Sequence, residues 1–231
     1  MTLLPLSLVV LLSTATFAQT KPKARPNPAK LPTAVPVKAG IATFDKGSVT
    51  GRTYTNRSLG FEVTFPDTWL IPGDDFVDYM KKQGFDLSLK APDYLPANSK
   101  VKIDQALKRV HVLLTAYRSM PGSTDNAIAR ISIEDLSANS QIKDAVDYID
   151  AIRASYSTMK LPADFRYSET QAEKLGAMQF AFIGTSSNAG NKVLYATVRN
   201  GYAVLFTISF SDKADLETFR QVLARGNFAL K

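Results

Sequence analysis

The chain has no cysteine, a single histidine and a single tryptophan among its 231 residues. Without cysteine there is no disulfide, no thiol nucleophile and no thiolate metal site. One histidine excludes a multi-histidine metal site within one chain. Glycine-rich phosphate loops, dinucleotide fingerprints and calcium-loop spacing are missing as well. Net positive charge is small where a folded domain would carry it. The formal net charge is +7. Residues 1–49 hold six basic residues (Lys21, Lys23, Arg25, Lys30, Lys38, Lys46) and one acid, Asp45, so +5 lies there and +2 remains for residues 50–231. A nucleic-acid-binding domain concentrates its charge in the folded part. No nucleic-acid partner is therefore expected.

What is present begins with an export pattern. Residues 3–12 (LLPLSLVVLL) form an apolar run of signal-peptide length. Thr16 and Ala18 then place small residues at the −3 and −1 positions of a cleavage site before Gln19. The run is too short for a membrane-spanning helix, which needs about 20 apolar residues. No Lys or Arg precedes it, which leaves an uncleaved signal anchor as the alternative. No cysteine follows it, so a lipid-modified N-terminal cysteine is excluded. Residues 1–18 are expected to be a signal peptide cleaved after Ala18, delivering a periplasmic or secreted protein with no transmembrane segment in the mature chain.

From residue 19 the composition changes. Pro22, Pro26, Pro28, Pro32 and Pro36 are interleaved with the basic residues, and large apolar side chains are few. Proline removes donors and favours extended backbone. Residues 19–49 are expected to form a semi-rigid tether. Its charge suits weak electrostatic contact with an anionic envelope surface; a solvated linker is the plainer reading.

Residues 50–231 hold no internal repeat and no second long linker, so one globular domain is expected. Period-two alternation marks its strands. Phe61, Val63 and Phe65 alternate with Glu62 and Thr64. Val110, Val112, Leu114 and Ala116 line one face of a second strand. Ala127, Ala129, Ile131 and Ile133 line one face of a third, with Ile128, Arg130, Ser132 and Glu134 on the other. Residues 178–185, 193–199 and 202–210 continue the pattern. Asn200-Gly201 joins the last two as a two-residue hairpin turn, because both positions tolerate positive φ. Ile142, Val146, Ile149, Ile152 and Tyr156 form a helical stripe, with Ser140 as its cap. Asp212 or Ser211 caps a final helix burying Leu216, Phe219, Val222 and Leu223, and Gly226 stands where a left-handed residue would end it. Shorter helices are expected at 75–83 and 99–108. Strands apolar on both faces need cover on both sides. The fold class is α+β, an antiparallel sheet flanked by helices as an α/β/α sandwich.

Tyr54-Thr55-Asn56, Leu59-Gly60-Phe61-Glu62-Val63-Thr64-Phe65-Pro66 and Trp69 together resemble the opening hairpin of the PsbP-like proteins. The stretch Gly60-Phe61…Phe65-Pro66…Trp69 is the residue-specific part. The last strands, Asn200-Gly201-Tyr202-Ala203-Val204-Leu205-Phe206, the helix after them and Phe228 follow the same rhythm. The resemblance implies an α/β/α sandwich whose members mostly bind or assist other proteins. Trp69 reads as a core residue, with ligand stacking as the alternative.

Reactive constellations were sought one by one. His111 lies mid-strand just after Lys108 and Arg109 and reads as a satisfied structural or surface residue rather than a general base. Gly184-Thr185-Ser186 begins like a nucleophile elbow, but Asn188 replaces the second glycine. Ser-x-x-Lys occurs at Ser99/Lys102, Ser140/Lys143 and Ser157/Lys160 without a companion Lys-Thr-Gly. Asp74, Asp75 and Asp78, and Asp144, Asp147 and Asp150, read as solvated or capping carboxylates rather than a cation site. Asn56-Arg57-Ser58 is a glycosylation sequon, relevant only to a eukaryotic secretory route. Lys100, Lys102, Lys108 and Arg109, with Tyr94 nearby, form the densest basic stretch of the folded part. No catalytic, cofactor-binding or metal residues are assigned, and no cofactor. The expected function is an exported, non-enzymatic binding or accessory protein of a bacterial cell envelope, partnered with another envelope or secreted protein. The alternatives are a secreted hydrolase with a serine or carboxylate site assembled only in the fold, and a chaperone with an exposed groove or free sheet edge.

Overall fold

The computed structural model describes residues 45–230, apart from positions 74, 85, 86, 88–95, 122, 124, 125, 138, 140, 160 and 189 and the side chains of 99, 102, 105 and 106. The signal peptide, most of the tether, Tyr94, Ser140 and Lys160 lie outside the described residues. In chain order the elements are β1 (Ser48–Thr50), β2 (Thr53–Asn56), β3 (Phe61–Thr64), α1 (Phe76–Lys82), α2 (Ala97–Leu107), β4 (Val110–Tyr117) and β5 (Ile128–Asp135). Then come α3 (Ala145–Thr158), β6 (Arg166–Tyr167), β7 (Gln171–Leu175), β8 (Met178–Ser187), β9 (Gly190–Arg199), β10 (Tyr202–Phe210) and α4 (Lys213–Arg225).

The strands form two antiparallel sheets. β1, β2 and β3 make a small one, and the large one runs β4-β5-β10-β9-β8-β6, with β7 also paired to β8. The central strands are apolar on both sides and are covered on both. On one face Ala181, Ile183, Leu194, Ala196 and Leu205 pack against Tyr148, Ile149, Ile152 and Tyr156 of α3. On the other, Ile131, Phe180, Val204 and Phe206 meet Phe219, Val222 and Leu223 of α4 and Tyr54, Phe61 and Val63 of the small sheet. The fold is α+β, an antiparallel sheet flanked by helices.

The β2–β3 hairpin is held where the sequence singled it out. Gly60 has a φ of +68°. Its carbonyl and that of Leu59 accept from Arg199 Nη1 at 3.0 and 3.1 Å, while Arg199 Nη2 reaches the carbonyl of Phe228 at 2.8 Å. One guanidinium thus ties the hairpin, β9 and the chain after α4 together. Phe61 packs on Phe206 and Phe228 with ring centroids 5.3 and 6.0 Å apart. Trp69 is 2 % exposed beside Phe65, so its role is in the core. The folded part reaches back to residue 45, because Tyr54 Oη donates to the Lys46 carbonyl and Asn56 Nδ2 to that of Asp45. Asn56 of the sequon is fully buried in this arrangement.

Local signals were reliable where the chemistry is local. Asn200 and Gly201 have φ of 50° and 81°, as the tight hairpin requires. Asp212 caps α4, accepting from Ala214 N at 2.9 Å.

Four expectations need correction. α3 is capped by Asp144, whose Oδ1 accepts from Val146 N and Asp147 N at 2.8 and 2.9 Å, because the helix starts at Ala145, too late for Ser140 to cap it. Its inner stripe uses Tyr148, and Val146 in the first turn is exposed. On β4 the alternation breaks at a bulge between Val112 and Leu114. Val110 therefore joins the α3-side core while Leu114 and Ala116 join the opposite one, and Val112 is left 41 % exposed. Gly226 is not left-handed: its φ is −62°. It is glycine because a Cβ would stand 2.8 Å from Phe228 Cε2 and 3.1 Å from Val63 Cγ1. Gly226→Ala should cost about 1–3 kcal/mol by overpacking. Chemical denaturation checks it; an unchanged midpoint would mean that the contact relaxes freely.

Candidate functional site

Beneath α3 lies a buried carboxylate. Glu134 on β5 stands between Val110 of β4 and Ala203 of β10 and is 0 % exposed. Tyr148 Oη donates to its Oε2 at 2.7 Å, and Arg109 Nη2 lies 3.1 Å from its Oε1. Burial pushes the Glu134 carboxyl above the usual carboxylate range, while the Tyr148 hydrogen bond and the Arg109 charge pull the other way. Burial and the neighbouring carboxylate push the Tyr148 phenol well up. Tyr148 and Arg109 engage one carboxylate oxygen each, so the group is internally paired and locks α3 to the sheet.

The same sheet face carries a second polar group, past the apolar residues that α3 covers. Arg130 pairs across to Thr207 of β10 and Thr115 of β4, and Lys192 of β9 pairs with Ser209 of β10 and Thr185 of β8. Burial lowers the Arg130 guanidinium, against the opposing effect of Tyr117, whose phenol hydrogen-bonds it. Burial, then the Arg130 charge, pushes the Lys192 ammonium well below its ordinary value. A charged pair of one sign inside a fold is uncommon.

The third feature is on the surface. Of the nine exposed large apolar side chains among the described residues, six gather around β4. Val112 is on β4 itself and Met120 follows it. Leu70 bridges to Tyr117 through backbone hydrogen bonds of 2.7 and 2.9 Å. Val77 and Tyr79 belong to α1, whose first residue, Phe76, packs on Tyr117 with ring centroids 5.6 Å apart. Val101 is on α2, which packs against β4. β4 is the edge of the large sheet, paired on its inner side with β5 and, among the described residues, met on its outer side by Leu70 at Tyr117.

A cleft of about 300 Å³ opens at the start of α3, lined by Lys143, Asp144, Val146, Ala172, Gln179 and Thr197. Its carboxylate, Asp144, is occupied as the helix cap.

The residues weighed for chemistry do not converge. His111 is exposed on β4 opposite Ile133. Thr185 and Ser186 lie within strand β8, paired to Lys192 and Asn191, so no strand-to-helix elbow exists there. Ser157 Oγ donates to the Ala154 carbonyl. Asp147 accepts from Lys143 N, and Asp150 accepts from Thr170. Asp75 and Asp78 are exposed on and before α1. The basic stretch is divided, since Arg109 turns inward to Glu134 while Lys108 stays exposed. Among the described residues no cluster of three or more metal-ligating side chains occurs. What sequence reading missed is the buried pair Arg130 and Lys192. Arg130 sits between Ala129 and Ile131, and that flanking was the available signal.

No protein-family model and no curated protein matches the chain. Among solved structures it is similar to the solution structure of cyanobacterial PsbP (CyanoP) from Synechocystis sp. PCC 6803, at 13 % identity and a TM-score of 0.40, over 79 % of this chain and 98 % of that one. It is also similar to the crystal structure of LpqN, involved in cell envelope biogenesis of Mycobacterium tuberculosis, at 12 % identity and a TM-score of 0.39, over 72 % of this chain and 82 % of that one. The first bears the PsbP name that the Gly60-Phe61…Trp69 hairpin suggested. Among the described residues no helix is long and apolar enough to cross a membrane.

Proposed function

We propose that the chain is an exported, non-enzymatic binding or accessory protein of a bacterial cell envelope, and that its partner docks along β4. The observation that carries the reading is the gathering of six of nine exposed large apolar side chains around one sheet edge. A strand edge offers unpaired backbone donors and acceptors, and apolar flanks offer pockets for alternate side chains. Together they fit an extended apolar segment of another envelope protein, added as a further strand. The leader at 1–18 and the basic tether from residue 19 support export and reach: the domain searches for its partner while its arm stays near the envelope surface.

The test places a photo-crosslinking residue at Val112, with the same residue at exposed Arg225 as control, in full-length protein and in protein lacking residues 19–44, a deletion that spares the Asp45 and Lys46 carbonyls bonded by Asn56 and Tyr54. Native envelope extract supplies the partner. One protein cross-linked from position 112, through an extended segment and with or without the tether, is the expected result. Val112→Glu and Tyr79→Glu should each cut its capture about tenfold or more, as loss of an interface anchor does. Equal cross-linking from 112 and 225 would refute the β4 site.

A further inference from the structure

The Arg130–Lys192 cluster is built as a site and is separate from the β4 edge. The two residues flank β10, on β5 and β9, two strand spacings or about 10 Å apart across the sheet and two positions apart along it. Between and beside them on the same face the register places the hydroxyl residues Thr207, Ser209 and Thr185. Arg130 is 9 % exposed and Lys192 is 2 % exposed. Among the described residues Arg130 Nη1 and Lys192 Nζ have no hydrogen-bond partner, the Tyr117 phenol engaging Arg130 elsewhere on its guanidinium. Among the described residues no carboxylate pairs with either: Glu134, further along β5, is taken by Tyr148 and Arg109.

Such an arrangement is incomplete by the ordinary rules of burial. Buried charges are paired, and an unpaired one carries the full desolvation cost. Arginine does not lose its proton in proteins. The missing element is an anion. The donors on offer, a guanidinium nitrogen, an ammonium and hydroxyls from neighbouring strands, come from several directions rather than from one planar fork. That suits a tetrahedral oxyanion with three or four acceptor oxygens. We propose that Arg130 and Lys192 form a binding site for a phosphate-class oxyanion, free or carried as the head group of a larger molecule. An anion held between them also offsets the burial and, after it, the Arg130 repulsion that together depress the protonation of Lys192.

The experiment titrates the purified full chain with inorganic phosphate and with glycerol phosphate, chloride being exchanged to hold ionic strength constant, and reads heat of binding and melting temperature. Saturable binding that weakens at least tenfold in Lys192→Met is the expected result. Lys192→Met is chosen because it removes an unpaired buried cation and should fold at least as well as the parent; Arg130→Met is the second variant. Tighter binding of glycerol phosphate would assign the site to a head group, and equal or tighter binding of inorganic phosphate to the free ion. A response that never saturates, or that saturates identically in Lys192→Met, would overturn the proposal. This outcome is independent of cross-linking at β4.

Discussion

Replacing Lys192 by methionine should raise the unfolding free energy at pH 7, in phosphate-free buffer, by about 1–4 kcal/mol, the range found when buried charged groups give way to apolar ones. The side chain is 2 % exposed, its ammonium has no hydrogen-bond partner among the described residues, and Arg130 adds a like charge near it. Methionine fills nearly the same volume and carries no donor to satisfy. The effect has a defined pH dependence. Burial lowers the folded-state protonation constant of Lys192 well below 10.5. The unfolded chain therefore holds more protons through the interval between the folded value and 10.5, and parental stability rises with pH across it. The group's favourable contribution is present above 10.5 and lost as pH falls toward the folded value. The variant should thus hold its largest advantage at the acid end of the interval and lose most of it as pH approaches 10.5. Denaturant titrations at several pH values measure this. A variant less stable than the parent at neutral pH would mean that Lys192 has an acceptor in the fold.

The second large effect concerns Glu134. Tyr148→Phe should destabilise the protein by about 2–4 kcal/mol near neutral pH, since removing one partner from a buried charged network leaves the other uncompensated. The sign of its pH dependence is opposite to that of Lys192. Burial raises the folded-state carboxyl above 4.5, so the stability linked to Glu134 is fully present below 4.5 and is lost as pH rises through the folded value. The Tyr148 hydrogen bond limits that rise. Without it the folded value climbs further, and the penalty at neutral pH deepens. The cost of Tyr148→Phe should therefore shrink toward pH 4 and grow toward pH 7, measured against the parent at each pH. A cost independent of pH would mean that the Tyr148 hydroxyl does not respond to the charge on Glu134. Glu134→Leu, combined with Tyr148→Phe, should recover part of the loss, because it removes the fully buried carboxylate and leaves only Arg109, whose side chain is 24 % exposed and can turn to water.

These two residues also mark the boundary of what the sequence reveals. Asn200-Gly201 was legible because a two-residue hairpin needs positive φ at both positions, and few residue pairs allow it. Asp212 was legible because a cap bonds its own helix two residues on. The alternation in Phe61, Val63 and Phe65 survived because both faces of a short strand obey one register. In β4 the same reasoning failed, since a bulge at Val112 and Leu114 reverses the faces without any local glycine or proline to announce it. Gly226 was read as a conformational residue and proved to be a contact residue. Its requirement comes from Phe228 and Val63, the second of them more than a hundred positions away.

By itself the sequence determined the order of the main strands and helices, the Asn200-Gly201 turn and the Asp212 cap, the two-sided sheet, the exclusion of thiol and multi-histidine chemistry, and the expectation of export, while β1, β6, β7 and the cap of α3 escaped it. Each of these depends on composition or on neighbours within a few positions. Only the tertiary structure decided which charges are buried and which strand edge carries the apolar surface. Glu134, Arg130 and Lys192 look like solvated residues until the register of β5, β10 and β9 places them under a covering layer, and Val112, Val77 and Tyr79 look like core until packing leaves them outside. Burial is a property of what lies across the sheet. A chain read in one dimension carries residue chemistry and local geometry, and the desolvation that turns a lysine into a binding group appears only when distant segments close over it.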